Sequence, residues 1–339
     1  MFICIMGCSN APSQDPEPRI FTLMTHDSFS LSKPVMAAFE KAVGTPVKIL
    51  KSGDAGEALN KAILSKNNPL ADVFYGVDNT FLSRALKANL FEPYAPKGLD
   101  KIPQDLQMDP GNRLIPMDFG DVCLNYDIQW FTEHNLAPPT GLEDLIKPEY
   151  KGLTVVQNPA TSSPGLAFLL ATVARFGTDG FQDYWQALKA NDLMVKNGWK
   201  EAYWGEFTAA SKGSRPIVVS YASSPAAEVF YADPQPNQAP TGLVLGKGSA
   251  FRQVEFAGIL TGTPNPDLAQ KAMDFLLSPT FQEDIPLQMF VFPANAQAQL
   301  PPVFQAHAQI TDSPALLNPE TINSQRDNWI QQWTEIVLQ

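Results

Sequence analysis

At 339 residues the chain is long enough to build two lobes with separate cores. Its 24 lysines and arginines against 35 aspartates and glutamates leave a net charge of −11, which argues against nucleic acid or an anionic membrane surface as partner and suits a cationic ligand. No apolar run reaches the roughly 20 residues of a membrane-spanning helix, and Cys123 alone falls inside the expected folded body, where it reads as a small buried hydrophobe without a disulfide partner.

The first element is Ile5-Met6-Gly7-Cys8, which is similar to a bacterial lipobox and makes Cys8 the expected lipid anchor. The polar, proline-rich residues that follow read as a flexible tether, so 1–18 form a signal remnant and linker. From there strand and helix patterns alternate. Apolar runs at 20–24, 47–50 and 72–76 predict strands, and helical spacing at 33–43, 54–66 and 79–91 predicts the helices between them. This βαβαβα order implies a largely parallel sheet with right-handed crossovers. A second series follows: a strand at 153–157, a helix opening near Pro164, a helix over 181–190, a strand at 216–221 and a helix from Pro225. Two long extended runs, 113–127 and 251–262, are suited to carry the chain out of one lobe and back, the second leading into a helix at 265–278. The expectation is an α/β protein of two lobes with a cleft between them. Lobe 1 takes 19–117 plus 257–300, and lobe 2 takes 118–256 plus 301–339.

In open α/β sheets ligands sit at the carboxyl ends of strands, where helix N-termini present free N–H groups. Four such corners stand out: Thr25-His26-Asp27-Ser28-Phe29, Gly76-Val77-Asp78-Asn79, Asn158-Pro159-Ala160-Thr161-Ser162-Ser163, and Tyr221-Ala222-Ser223-Ser224. Any one of these serines is well explained as a helix cap before a proline. Together they place acids on one wall of a cleft and hydroxyls with N–H groups on the other. Trp199, Tyr203 and Tyr221 in the second lobe, and Phe290 near the chain end, can stack on a flat or cationic guest.

Catalytic signatures are missing from the sequence: there is no G-x-S-x-G elbow, H-E-x-x-H or C-x-x-C. A serine-type hydrolase would have to use His26 as its base, from the opposite lobe. No enzyme activity, cofactor or metal site is expected.

At these corners the sequence resembles the thiamine-binding proteins of bacterial ABC importers, within the type II solute-binding superfamily. The likeness runs from Phe21 to Trp333. It is carried by T-H-D-S-F at 25–29, G-V-D-N at 76–79, N-P-A-T-S-S-P-G-L at 158–166 and G-W-K-E-A-Y at 198–203. It continues with S-Y-A-S-S-P-A at 220–226, S-P-T-F-Q-E-D-I-P at 278–286 and Q-R-D-N-W-I-Q-Q-W at 325–333. Departures fall at His26, where the family carries Tyr, at Asn158, where it carries Asp, and at Phe290, where it carries a stacking Trp. The resemblance implies a two-lobed periplasmic-binding-protein fold and a monomeric extracytoplasmic receptor serving an importer permease. Its ligand would be thiamine, thiamine monophosphate or thiamine diphosphate, with Trp199, Tyr221 and Phe290 stacking, Asp78 and Asp27 facing the polar aminopyrimidine or the cationic thiazolium, and His26, Tyr203 and Asn158 also at the ligand. Thr161, Ser162 and Ser163 would hold the hydroxyethyl or phosphate end. The same fold also serves receptors for polyamines or for metal and anion species; a polyamine site would spread carboxylates along the cleft, and no Tyr-Tyr pair of an iron receptor occurs.

Overall fold

The computed structural model describes residues 19–339; Cys8 and the lipobox-like segment lie outside them. In chain order the elements are β1 (Phe21–Thr25), α1 (Lys33–Val43), β2 (Val47–Lys51), α2 (Ala55–Leu64), β3 (Val73–Asp78), α3 (Leu82–Lys87) and β4 (Phe91–Glu92). Then come the 13-residue β5 (Ile115–Asp127), α4 (Ile128–Glu133), β6 (Thr154–Gln157), α5 (Ser163–Ala190), β7 (Met194–Lys196), α6 (Trp199–Tyr203), β8 (Ile217–Tyr221), α7 (Ser224–Tyr231) and β9 (Thr241–Val244). The chain returns through β10 (Phe251–Leu260) and ends with α8 (Pro266–Leu276), α9 (Pro279–Gln282), α10 (Ile285–Gln288), β11 (Phe292–Pro293), α11 (Pro302–His307) and α12 (Pro319–Val337).

The strands run in the order β2-β1-β3-β10-β5-β8-β6-β7, so one sheet passes through both lobes. Within each lobe the pairs are parallel (β1 with β2 and β3, β6 with β7 and β8), as a βαβ pattern demands. The two long strands differ from that expectation. β10 is antiparallel to both β3 and β5, and β5 is antiparallel to β8, so the sheet is mixed. One chain must leave the first lobe and one must come back, and adjacent strands doing so point in opposite directions.

Local chemistry explains the element ends. α1 opens with a proline in its first turn and closes on Gly44, whose left-handed φ of 85° lets its N–H reach Glu40 O. Its buried face, Val35, Phe39 and Val43, packs on α8, with Phe39 stacked on Phe275 at 4.9 Å. Burying rings and branched chains of this kind contributes about 1.5–3 kcal/mol each. The two helices expected at 164 and 181–190 join end to end as α5, broken at Gly177 where φ is 79° and ψ is 171°. α12 lies along α5, and Trp333 meets Trp185 edge to face at 5.6 Å, which ties the chain end to the second lobe. The helix expected over 79–91 is shorter than its pattern, Leu82–Lys87, because Phe91 and Glu92 pair with Leu260 and Ile259 as β4. Cys123 is fully buried and free.

Candidate functional site

The strand crossing brings acids together in the middle of the sheet. Glu255 of β10 stands in register with Asp78 of β3 on one side and with Asp118 of β5 on the other. Cross-strand partners share a face, so three carboxylates form a row on the cleft floor. Asp78 and Asp118 are buried and Glu255 is nearly so. The register breaks on either side of Phe256, first against β5 between Glu255 and Phe256, then against β3 between Phe256 and Ala257.

The row is partly satisfied. Asp78 accepts from the Thr80 N–H at 2.6 Å and from the hydroxyls of Thr80 and Ser163. Burial nevertheless pushes its pKa up to about 6, with the Glu255 charge adding. Asp118 accepts from the Tyr75 hydroxyl, but its Oδ1 is buried without a partner, and burial together with Glu255 holds its pKa well above the carboxylate range. The nearest compensating group is His26. Its Nδ1 accepts from the Ser28 N–H at 3.2 Å, which leaves the proton on Nε2, and Nε2 faces Glu255 Oε2 at 3.4 Å. Burial acts to lower the His26 pKa, yet Glu255, seconded by Asp54, outweighs it and the net shift is upward. Gly76 makes room for this imidazole: with φ at 116°, an added Cβ would stand 2.6 Å from His26 Cδ2.

Over this floor stands an aromatic wall. Trp199 stacks on Tyr203 at 4.9 Å and 19°, and Trp204 meets both edge-on. The Trp199 indole N–H donates to Ser220 Oγ at 2.9 Å, and the Tyr221 hydroxyl donates to Gln253 Oε1 at 3.2 Å, which locks two of the rings. Behind them the Tyr203 hydroxyl donates to Glu228, whose pKa burial raises to about 7. Phe290 closes the far side with a positive φ of 58°, rare for a residue with a side chain; Ser223 donates its hydroxyl to the Phe290 carbonyl and Tyr231 packs edge-on against the ring.

His26, Ser28, Asp54, Ser163, Trp199, Tyr203, Trp204, Tyr221, Glu255 and Phe290 thus line one cavity of about 60 Å³. Neither lysine nor arginine lines it among the described residues. Two of its acids were not anticipated from sequence. Asp54, at the start of α2, accepts from the Ala55 N–H at 2.8 Å and, from the facing lobe, from the Trp199 N–H at 3.1 Å; burial raises its pKa against these hydrogen bonds. Glu255 lies in a run that reads as an apolar strand.

Of the residues expected at the ligand, His26, Ser163, Trp199, Tyr203, Tyr221 and Phe290 come together here. Asp78 lies just beneath, turned to Ser163 and Thr80. Ser162 is buried, and its Oγ faces Asp54 outside strict hydrogen-bond geometry and has no partner. Asn158 is spent on the loop, where Oδ1 accepts from the Ala160 N–H at 2.9 Å. Asp27 and Thr161 stand at a separate, wider mouth shared with Asp54 and Lys200, where Asp27 Oδ1 accepts from the Gly53 N–H and Thr161 Oγ1 donates to the Asn197 carbonyl.

The lobes touch across this cleft. Besides Asp54 with Trp199, the Gly56 N–H donates to the Thr161 carbonyl at 3.2 Å, and Lys200 Nζ donates to the Asp27 carbonyl at 2.7 Å. A cleft with ionisable acids below, fixed π faces beside and matched edges above can close on a small planar cation. Ser163 donates its hydroxyl to Asp78, and His26 Nδ1 accepts from the Ser28 N–H while its Nε2 faces Glu255 without a hydrogen bond.

Comparison with known proteins bears on the family and the fold. The pattern of the bacterial extracellular solute-binding protein family matches residues 68–312. The chain is 31% identical over 326 residues to the thiamine-binding periplasmic protein of Salmonella typhimurium strain LT2, covering 94% of this chain and 93% of that one. It is 31% identical over 328 residues to the protein of the same name from Escherichia coli strain K12, with the same coverage. A solved structure described as a periplasmic thiamin binding protein superposes with a TM-score of 0.83 at 29% identity, covering 97% of this chain and 99% of the other. The chain belongs to the bacterial extracellular solute-binding protein family, whose two-lobed fold it shares.

Proposed function

We propose that this chain is an extracytoplasmic receptor that closes its lobes on thiamine and presents it to an ABC importer. The observation that carries the reading is the carboxylate row Asp78–Glu255–Asp118 beneath the stacked Trp199 and Tyr203, without a lysine or arginine among the lining residues. A thiazolium ring supplies the missing positive charge, and both thiamine rings offer flat faces to the aromatic wall. Asp54, at the N-terminal ends of α2 and α6, is placed to accept from an aminopyrimidine, while Ser28, Ser163 and Ser224 offer hydroxyls to the remaining polar edge. Relatives that carry thiamine binding in their names, alike over more than nine-tenths of the chain, support the same ligand. On this reading Cys8 carries a lipid that holds a monomeric receptor at the membrane surface.

Tryptophan-fluorescence titration tests the proposal, because Trp199 and Trp204 line the hollow. Thiamine is expected to change the emission saturably, and spermidine, a cation without rings, to leave it unchanged at the same concentration. A response to spermidine and none to any form of thiamine would overturn the assignment.

A further inference from the structure

Two demands on His26 oppose each other at the cleft floor. Its Nδ1 accepts from the Ser28 N–H at 3.2 Å, so while the 26–28 corner is fastened in this way the ring holds one proton, on Nε2. That Nε2 is buried without a hydrogen bond and faces Glu255 Oε2 at 3.4 Å. A neutral imidazole thus stands against a carboxylate where little water screens the charge.

The groups around the ring pull the other way. Burial disfavours the imidazolium, but Glu255 of β10 and Asp54 at the start of α2 favour it, and they prevail over burial and over Lys51 of β2. Tyr75 of β3, its ring centred 6.3 Å from the imidazole, is kept neutral by burial and by Asp118. Asp78 and Asp118 extend the same negative field, each in register with Glu255. A second proton on His26 must go to Nδ1, and an N–H there meets the Ser28 N–H donor against donor. The imidazolium and the Ser28 hydrogen bond are therefore alternatives.

A guest that brings its own positive charge decides between them. Beside Glu255 it supplies what the extra proton supplies, repels that proton, and leaves Nδ1 free to accept from Ser28. We propose, resting on the thiamine reading above, that His26 exchanges its Nδ1 proton for the charge of a cationic guest: the N–H bond breaks, the proton leaves to the buffer, and the Ser28 N–H closes onto the freed lone pair. His26 is then a specificity determinant. A neutral flat guest leaves the imidazolium in place and the corner unfastened, so the floor selects for positive charge beyond what stacking gives. Affinity for a cation rises with pH through the titration of His26 in the guest-free protein, by up to about tenfold per pH unit for the one proton.

The direct test is proton NMR of the imidazole Cε1–H in H134Q/H307Q, which retains His26 as its one histidine, with and without saturating thiamine. Thiamine is expected to move the His26 midpoint down by about one pH unit or more. Calorimetric titration of thiamine into the unsubstituted protein and H26N, at roughly pH 6 and pH 8, reads the same linkage. Asparagine suits the comparison because its Oδ1 can accept from the N–H two residues on and takes up no proton. The ratio of parent to variant affinity should grow at least about threefold between the two pH values. An unmoved or raised midpoint in a protein that binds thiamine, or a ratio indifferent to pH, would overturn the exchange alone. Failure of the unsubstituted protein to bind thiamine at either pH would instead overturn the receptor reading and the exchange with it.

Discussion

His26 Nε2 and Glu255 Oε2 face each other at 3.4 Å on the cleft floor, the one imidazole set against a row of three carboxylates. A cationic guest must displace or share this internal partner. Glu255→Gln is therefore expected to weaken thiamine binding by about 2 kcal/mol or more, since it removes the charge at the centre of the row. The same change takes away the group that lifts the His26 pKa, so the imidazole should titrate lower. Fluorescence titration and proton NMR of the histidine ring check the two halves.

The pH dependence of the ligand-free protein follows from the same groups. Asp78 titrates near 6 in the fold against an ordinary 3.8, so the unfolded chain loses its proton first and stability falls as pH rises from about 4 to above 6. His26 acts in the same direction: its raised pKa gives stability that is complete below the ordinary value of roughly 6.5 and lost as pH climbs through the folded one. Thermal unfolding should thus show a higher midpoint near pH 5 than near pH 8. Asp78→Asn should recover up to about 3 kcal/mol at pH 8 and little at pH 4. A midpoint that rises with pH through this window in the unsubstituted protein, and does not shift in the variant, contradicts the assignment.

Glu228 gives an independent version of the same measurement behind the aromatic wall. Burial holds its pKa at about 7 against 4.5, although Tyr203 and Thr241 donate to it. Glu228→Gln is expected to stabilise the protein by about 1–3 kcal/mol at pH 8 and not at pH 4. Denaturant unfolding at the two pH values reads the difference.

Trp199 is held by its stack on Tyr203 and by the bond to Ser220 before any guest arrives. Its π face is pre-ordered, and little rotamer entropy remains to be lost on binding. Trp199→Ala should weaken thiamine by roughly 1–3 kcal/mol, while Trp199→Phe retains part of the stacking. Equal affinity for the alanine and parent proteins would remove this ring from the site.

Lobe closure depends on a small residue at the rim. A Cβ added at Gly56 would stand 3.0 Å from the Ala160 and Thr161 carbonyl oxygens of the facing lobe. Gly56→Val is expected to hold the lobes apart, weakening thiamine at least about tenfold, because a branched chain at that contact has no room to turn. Small-angle scattering with saturating ligand should give a larger radius of gyration for the variant than for the parent.

Much of this was legible in the sequence. The alternation of strands and helices placed β1, β2, β3, β6, β8 and β10 within a residue or two of their positions, because most of them are largely apolar runs with Gly, Pro or Asx close by. The corners at 25–29, 158–166 and 220–226 also met as the doubly wound pattern requires. What did not show was which face of a corner turns to the cleft. Asp78 and Ser163, read as opposite walls, instead bind each other, which no spacing reveals. Glu255 escaped notice inside a strand pattern, where a lone acid between Val254 and Phe256 was the available signal: a charge in a buried run needs a partner or a purpose. Asp54 was legible only as the first residue of the helix expected over 54–66, which it caps; its second bond, to Trp199, exists only once the lobes meet.

The breaks in register beside Phe256 adjoin Glu255, on the strand that joins the two lobes. The irregular step of a crossing strand therefore falls beside the central carboxylate of the floor. On the receptor reading, a guest that neutralises Glu255 acts on a strand shared by both halves at the very step where its pairing is irregular, which couples the filling of the floor to the relative setting of the halves.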